Sequence, residues 1–316
     1  MYYPYLRGKQ FELILLRENA TLLAESKIYP IIEPVKSNFS ALIRAMGTVN
    51  EEGLECTIIV NPKAGRKPPS TERILRELID DAFEGFKNIS IGYMLHAEST
   101  LSELTALLKK YRKRNFTILH SGYTNGKKLA SHIEEHKNIK THVFMEGFAG
   151  KLYQKQLKKD GIKRVLIRDG FKAQQKNSLY PRHEHFSELH ITYKDEEGMD
   201  GFGDYLTVGS GYTETGGPAY AVAIHLTYLD DEDMFIYHFV SDQTKSPADP
   251  GGKFLEALSK LVKKVNASNS NIYRSRACKE YLKLFAQQHY PGLGYVKKLS
   301  MQHHIELIAD YIEQTE

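Results

Sequence analysis

"YPIIEPVKSN", residues 29–38, is an apolar run with a carboxylate, Glu33, inside it and an ammonium group, Lys36, near its end. Two isoleucines and a valine predict a buried strand, where either charge left unpaired would cost several kcal/mol. A helix-length stretch follows at once, "NFSALIRAM" (38–46), with Asn38 placed to cap it. This unit of apolar strand, charged strand end and amphipathic helix returns along the chain, and its return decides the fold.

Upstream, "YYPYL" (2–6) precedes a helix from about Gln10 to Glu25. Downstream, "CTIIVN" (56–61) crosses a Pro/Gly-rich loop into a helix at 71–86 that Ser70 or Thr71 caps. "ISIGYML" (89–95) leads to a helix at 99–113 with a stripe of Leu101, Leu104, Leu107 and Leu108. "FTILHS" (116–121), "THVFME" (141–146) and "RVLIRD" (164–169) are further strands, the first two followed by helices at 126–136 and 150–159. After an irregular polar stretch with a helix expected near "RHEHFSELHITY" (182–193), "GDYLTV" (203–208) gives an eighth strand.

Eight strand–helix units of about 30 residues, with strands too apolar to face water, predict a parallel sheet covered by helices. Eight is the number that closes on itself. The expected fold is therefore α/β, a single (β/α)8 TIM-like barrel domain over 1–316. Two long strands, 219–229 and 234–241, joined by "DDED", read as a β-hairpin inserted after strand eight. Helices at 252–265, 277–288 and 301–313 follow, and 270–316 forms a C-terminal helical appendage. An open doubly wound sheet is the rival. Its dinucleotide-binding form needs a GxGxxG after the first strand, and "RGKQFE" stands there.

The bulk composition excludes several classes. The formal charge is +4, from 43 basic against 39 acidic residues, without the concentrated basic stripe of a dedicated nucleic-acid binder. Cys56 and Cys278 supply neither a disulfide framework nor a zinc spacing. The N-terminal "MYYPYLRGKQ" lacks a signal-peptide core, and no apolar run approaches the ~20 residues that span a bilayer. A soluble cytoplasmic protein without membrane association is expected.

In a barrel of this kind the carboxyl ends of the strands share one face, where chemistry is placed. Those ends carry Arg7 and Lys9, Glu33 and Lys36, Asn61 and Lys63, His96, then His120, Ser121 and Tyr123. Glu146, Arg168 and Asp169 follow, with Asp204 in strand eight and Ser210 and Tyr212 after it. The opposite ends are blander: Tyr2, Pro30, Cys56, Ile89, Phe116, Thr141. Each polar end taken singly reads as a structural ion pair or a loop cap; together they predict a ring.

Glu33, His120, Glu146 and Asp169 are the expected catalytic set, for general acid–base chemistry or for a divalent metal ion held by oxygens. Arg7, Lys9, Lys36, Asn61, Tyr123, Arg168 and Ser210 are the expected substrate-binding set, their cations suited to a phosphate-containing or nucleotide-like ligand. "HSGYTNGKK" (120–128) and "GSGYTETGGP" (209–218) read either as anion-binding loops or as plain turns, and "NPKAGRKPPS" (61–70) is a basic loop on the same face. "RHEH" (182–185) spaces two histidines at i, i+2, poor geometry for one helical face. The apolar hairpin at 219–241 must be covered, by the barrel mouth or by a second subunit in a homo-oligomer.

Three motifs, "YLRGKQFELILLRE", "PIIEPVK" and "GFGDYLTVGSGYTETGGPAYAVAIHLTY", together resemble the bacterial and phage-associated "Beta protein" family over nearly the full length. The resemblance implies a bacterial or prophage setting, a neighbouring-gene protein partner and an accessory or anti-phage role, and it transfers no catalytic residue. Two functions stay open at this point: a hydrolase acting on a phosphate-containing substrate, or a non-catalytic barrel that binds a partner protein or nucleic acid.

Overall fold

The computed structural model describes residues 1–214 and 216–315. The apolar runs pair as one parallel sheet, beginning with β1 (Tyr5–Leu6), β2 (Ile31–Ile32), β3 (Cys56–Ile59) and β4 (Ile89–His96). It continues through β5 (Phe116–Ser121), β6 (Ile139–Met145), β7 (Lys163–Ile167) and β9 (Gly201–Gly203). The circle closes through hydrogen bonds from Tyr3 N to Phe202 O (2.8 Å) and Tyr5 N to Asp204 O (2.9 Å), beside a parallel bridge from Tyr2 to Phe202. The eight-stranded barrel is the one that the strand count predicts.

The last barrel strand is displaced from its expected position. It is the "GFG" at 201–203, while Leu206–Val208 forms a 3₁₀ turn. Close approach explains the shift: a Cβ on Gly201 would lie 2.7 Å from Tyr3 Cε2, and one on Gly203 would run into the Tyr3 carbonyl. Only residues without side chains let the first and last strands meet here.

Helices cover the strands, starting with α1 (Gln10–Glu18), α2 (Ala20–Glu25) and α3 (Ser40–Glu51). The expected single helix at 10–25 breaks at Asn19, whose side-chain amide donates to Leu15 O at 2.8 Å. Helix α4 begins at Thr71–Ile74 and continues as a π-helical Leu75–Ala82, with Ser70 Oγ capping it by accepting from Arg73 N at 3.3 Å. Then come α5 (Leu101–Lys110), α6 (Gly126–Ile133) and α7 (Lys151–Gln156). On α5, Leu101, Leu104 and Leu108 are buried, as their spacing requires.

The chain divides into two compact units, Met1–Arg168 with Thr192–Asp204, and Asp169–Ile191 with the chain from Tyr205. The first unit holds the whole barrel. In the second, β10 (Ala223–Asp230) and β11 (Asp233–Val240) form the expected hairpin, turned by Asp231 and Glu232 with Asp231 at φ 53°. A third strand, β8 (His183–Ser187), adds to β11 where a helix was expected, and only a short helix α8 (Leu189–Thr192) follows. The unpaired edge of β11 supplies a ladder that outweighs the local helical pattern.

The hairpin's apolar face is covered from within the chain. Ile224, Leu226, Tyr228 and Phe239 share a core with Phe254 and Leu258 of α9 (Pro250–Val265), Tyr281 of α10 (Arg276–Ala286) and Leu299 of α11 (Leu293–Thr315). The C-terminal helices are thus part of that core. Among the described residues, no helix is long and apolar enough to cross a membrane.

Candidate functional site at the barrel mouth

Strand alternation decides which side chains enter the barrel. Thr57 on β3 and Thr117 on β5 touch through their hydroxyls at 3.0 Å, although β4 lies between them. They can do so only over Gly92 of β4, whose missing side chain leaves the space: a Cβ there would sit 2.7 Å from Thr57 Cγ2. This contact marks the barrel interior. By register, Tyr5 and Ile31 share the face of Thr57, and by alternation Arg7, Glu33 and His96 follow at the carboxyl ends.

Glu33 is 3% exposed, and its surroundings account for the carboxylate in the opening stretch. Oε2 accepts from the Tyr5 hydroxyl at 2.9 Å and from Arg7 Nε at 3.1 Å. Oε1 accepts from the backbone N–H groups of Lys63 and Ala64, both at 2.9 Å. Four donors fill the four acceptor sites of the carboxylate. Through these bonds Glu33 holds the β1 and β3 loops together.

Arg7 is fixed from a second side. Glu12, 5% exposed, accepts from the backbone N–H groups of Arg7 (2.7 Å) and Lys9 (3.1 Å), pinning the turn into α1. Burial raises the Glu12 pKa, opposed by those two N–H bonds. Asn61 also serves the framework: its side-chain amide donates to Met94 O and accepts from Met94 N, both at 2.8 Å, which extends the β3–β4 ladder by one rung.

His96, at the end of β4, is different. Its Nε2 is buried with no hydrogen-bond partner. Burial, then the nearby Lys63 ammonium, lower its pKa, while a hydrogen bond to the Ser121 backbone and the Glu33 carboxylate act the other way. The Lys63 side chain pairs with Glu98 at the same mouth.

The remaining expected residues divide. His120 does not reach the mouth. Three residues beyond Thr117 on β5, it points outward and is fully buried against the helices, with Nδ1 2.7 Å from the Tyr153 hydroxyl and Nε2 3.0 Å from His142 Nδ1. Burial, then His142, hold its pKa well below the usual histidine value. His142 in turn lines a cleft of about 340 Å³ beside Glu134, Lys158 and Lys159. Because strand side chains alternate, a shift of one residue would turn His120 into the ring.

Glu146 is exposed and bound to Arg168 at 2.7 Å, and Arg168 also reaches Glu197 at 3.1 Å, so these charges form an ion network on the barrel unit. Lys36 is exposed, and Lys9 and Tyr123 are half-buried. Asp204 is buried and accepts from the Tyr2 hydroxyl at 2.7 Å. Asp169, Ser210 and Tyr212 belong to the second unit, where Asp169 accepts from Ser210 N (2.7 Å) and Phe171 N (3.0 Å). Tyr5 was missed, although the alternation of Tyr3, Tyr5 and Arg7 carries the signal that it faces inward.

No family model matches the chain, and no curated protein matches it. Among solved structures it is similar to N-acetylneuraminate lyase from Mycoplasma synoviae, at 12% identity and TM-score 0.40, over 65% of this chain and 67% of that one.

Proposed function

We propose that the barrel mouth is an acid–base site for a phosphate-containing, nucleotide-like ligand, with His96 as the proton acceptor. The observation that carries this reading is the buried, unpartnered Nε2 of His96, held beside Lys63 and Glu33 at the end of a barrel strand. A buried polar atom without a partner costs about 1–3 kcal/mol, and a substrate or water proton is what would satisfy it. Arg7 and Lys63 line the mouth in ion pairs with Glu33 and Glu98, and Lys63 can exchange the exposed Glu98 for an anion. A neutral imidazole beside such cations suits hydrolysis, in which it takes the proton of the attacking water. The phage-associated setting rests on the family resemblance alone.

Inorganic phosphate and nucleoside phosphates titrated into the protein should perturb the His96 ring resonances saturably, and Lys63→Ala should weaken the effect. Release of phosphate from a nucleotide panel should fall with His96→Gln. Unmoved His96 resonances across the whole panel would dismiss the reading.

A second reading, a non-catalytic module docking an apolar partner surface, draws on Phe148 and Leu152, which are 58% and 70% exposed at the end of β6 and the start of α7. Leu152→Glu would then abolish a complex that His96→Gln leaves intact.

A further inference from the structure

Helices α6 and α7 approach closely at Gly126, where a Cβ would lie 3.0 Å from Tyr153 Cδ2. Helix α7 is only six residues long and ends at Gln156. Beyond that end, a cleft of about 340 Å³ opens over β6, at the small end of the range for ligand pockets. Ile133, Leu157 and Ile162 give it apolar walls, and the exposed Glu134, Lys158 and Lys159 form its rim. Lys159 Nζ donates to the Glu134 carbonyl oxygen at 2.6 Å, so its ammonium group is held at the opening.

A buried hydrogen-bonded chain ends in this cleft. The Tyr153 hydroxyl lies 2.7 Å from His120 Nδ1, and His120 Nε2 lies 3.0 Å from His142 Nδ1. Tyr153, His120 and His142 are 7%, 0% and 1% exposed. His142 lines the cleft, and with Nδ1 engaged by His120 its Nε2 is the polar atom left to face it. Among the described residues, that nitrogen has no hydrogen bond of its own. A buried polar atom of this kind calls for a partner.

The chemistry of the chain tells which kind. Burial lowers the pKa of both histidines, so each ring is neutral near pH 7 and carries one N–H. A phenol is a better donor than an imidazole N–H, and an imidazole nitrogen a better acceptor than a phenol oxygen. Tyr153 therefore donates to His120, His120 donates to His142, and His142 presents N–H at the cleft.

We infer that this cleft binds a small organic monocarboxylate, its carboxylate taken by His142 Nε2–H and the two ammonium groups and its apolar body by Ile133, Leu157 and Ile162. Ammonium donors make the strong hydrogen bonds to a carboxylate. Two of them against the Glu134 carboxylate leave one positive charge on the rim, which a monoanion balances and a phosphate dianion exceeds. The site is separate from the barrel mouth. His142 pairs in register with Ile118, the neighbour of the inward-facing Thr117, and so points to the outside of the barrel.

Benzoate and hexanoate, titrated into the full chain labelled with ¹⁵N-histidine, should each shift the His142 ring resonances saturably and leave those of His96 in place. Benzyl alcohol has the apolar body without the charge, and inorganic phosphate the charge without the body. Both should need at least about tenfold higher concentration to move His142. Lys158→Met and Lys159→Met, at exposed positions, should each weaken benzoate by about tenfold, the worth of one charge-assisted hydrogen bond. His142 resonances unmoved by both carboxylates, or an affinity unchanged in both lysine variants, would overturn the site. Benzyl alcohol binding as tightly as benzoate would overturn the choice of an anion, and a shift confined to His96 would move the carboxylate to the barrel mouth and overturn the cleft.

Discussion

Arg7 Nε lies 3.1 Å from Oε2 of Glu33, with the two side chains only 12% and 4% exposed, so this ion pair is removed from water at the end of two adjacent barrel strands. Removing one member of a buried pair leaves the other charge uncompensated, which costs about 3–5 kcal/mol. Glu33→Gln should therefore destabilise the barrel by about 3 kcal/mol in urea unfolding, with little dependence on salt. A loss below about 1 kcal/mol, the range of a surface pair, would contradict the burial argument.

Gly92 makes room for the Thr57–Thr117 contact. In Gly92→Ala the new methyl carbon would lie 2.7 Å from Thr57 Cγ2 and 3.2 Å from the Ile58 carbonyl oxygen. Overpacking of this kind costs about 1–3 kcal/mol. Thr57→Ser removes Cγ2 and keeps the hydroxyl, so the double variant should recover part of the loss. Strict additivity of the two changes would show that the residues do not meet inside the barrel.

Burial, and secondarily the Arg164 guanidinium, bring the His142 pKa down to about 4. In the unfolded chain a histidine takes its proton near 6.5. Below that pH the unfolded state therefore binds a proton that the folded state refuses. The stability associated with the neutral ring is fully present above about 6.5 and falls as the pH drops toward 4, by about 1.4 kcal/mol per pH unit. His142→Gln should flatten the stability–pH curve between about pH 6.5 and 4.5 by that slope. A variant whose curve runs parallel to the wild type would show that His142 titrates normally.

Both thiols are buried, and burial pushes Cys56 up to about 12 and Cys278 up to about 11. Since the thiolate is the nucleophile, neither should react with iodoacetamide at pH 8 in the native protein, and both should react in urea. Stoichiometric labelling of the folded chain would place at least one thiol at the surface.

The barrel was legible because each strand but the last is a short apolar run ending in polar residues, and burial on both faces of a parallel sheet leaves that mark in composition alone. The last strand escaped. "GFG" is chosen for close approach to Tyr3, a contact about 200 residues away in sequence that no local propensity encodes. Likewise "RHEHFSELHITY" reads as a helix until the edge of β11 is there to pair with it.

Sequence by itself determined the barrel and the polar groups that end most of its strands, because the residues before them must be buried. Only the tertiary structure decided which of those groups find partners. Glu33, expected as a catalytic carboxylate, is saturated by Tyr5, Arg7 and two backbone amides. His120 turns away from the mouth, and His96 is left with an unpartnered nitrogen. A side chain's chemistry depends on which of its donors and acceptors are already occupied, and those partners come from other strands and loops, brought together by folding.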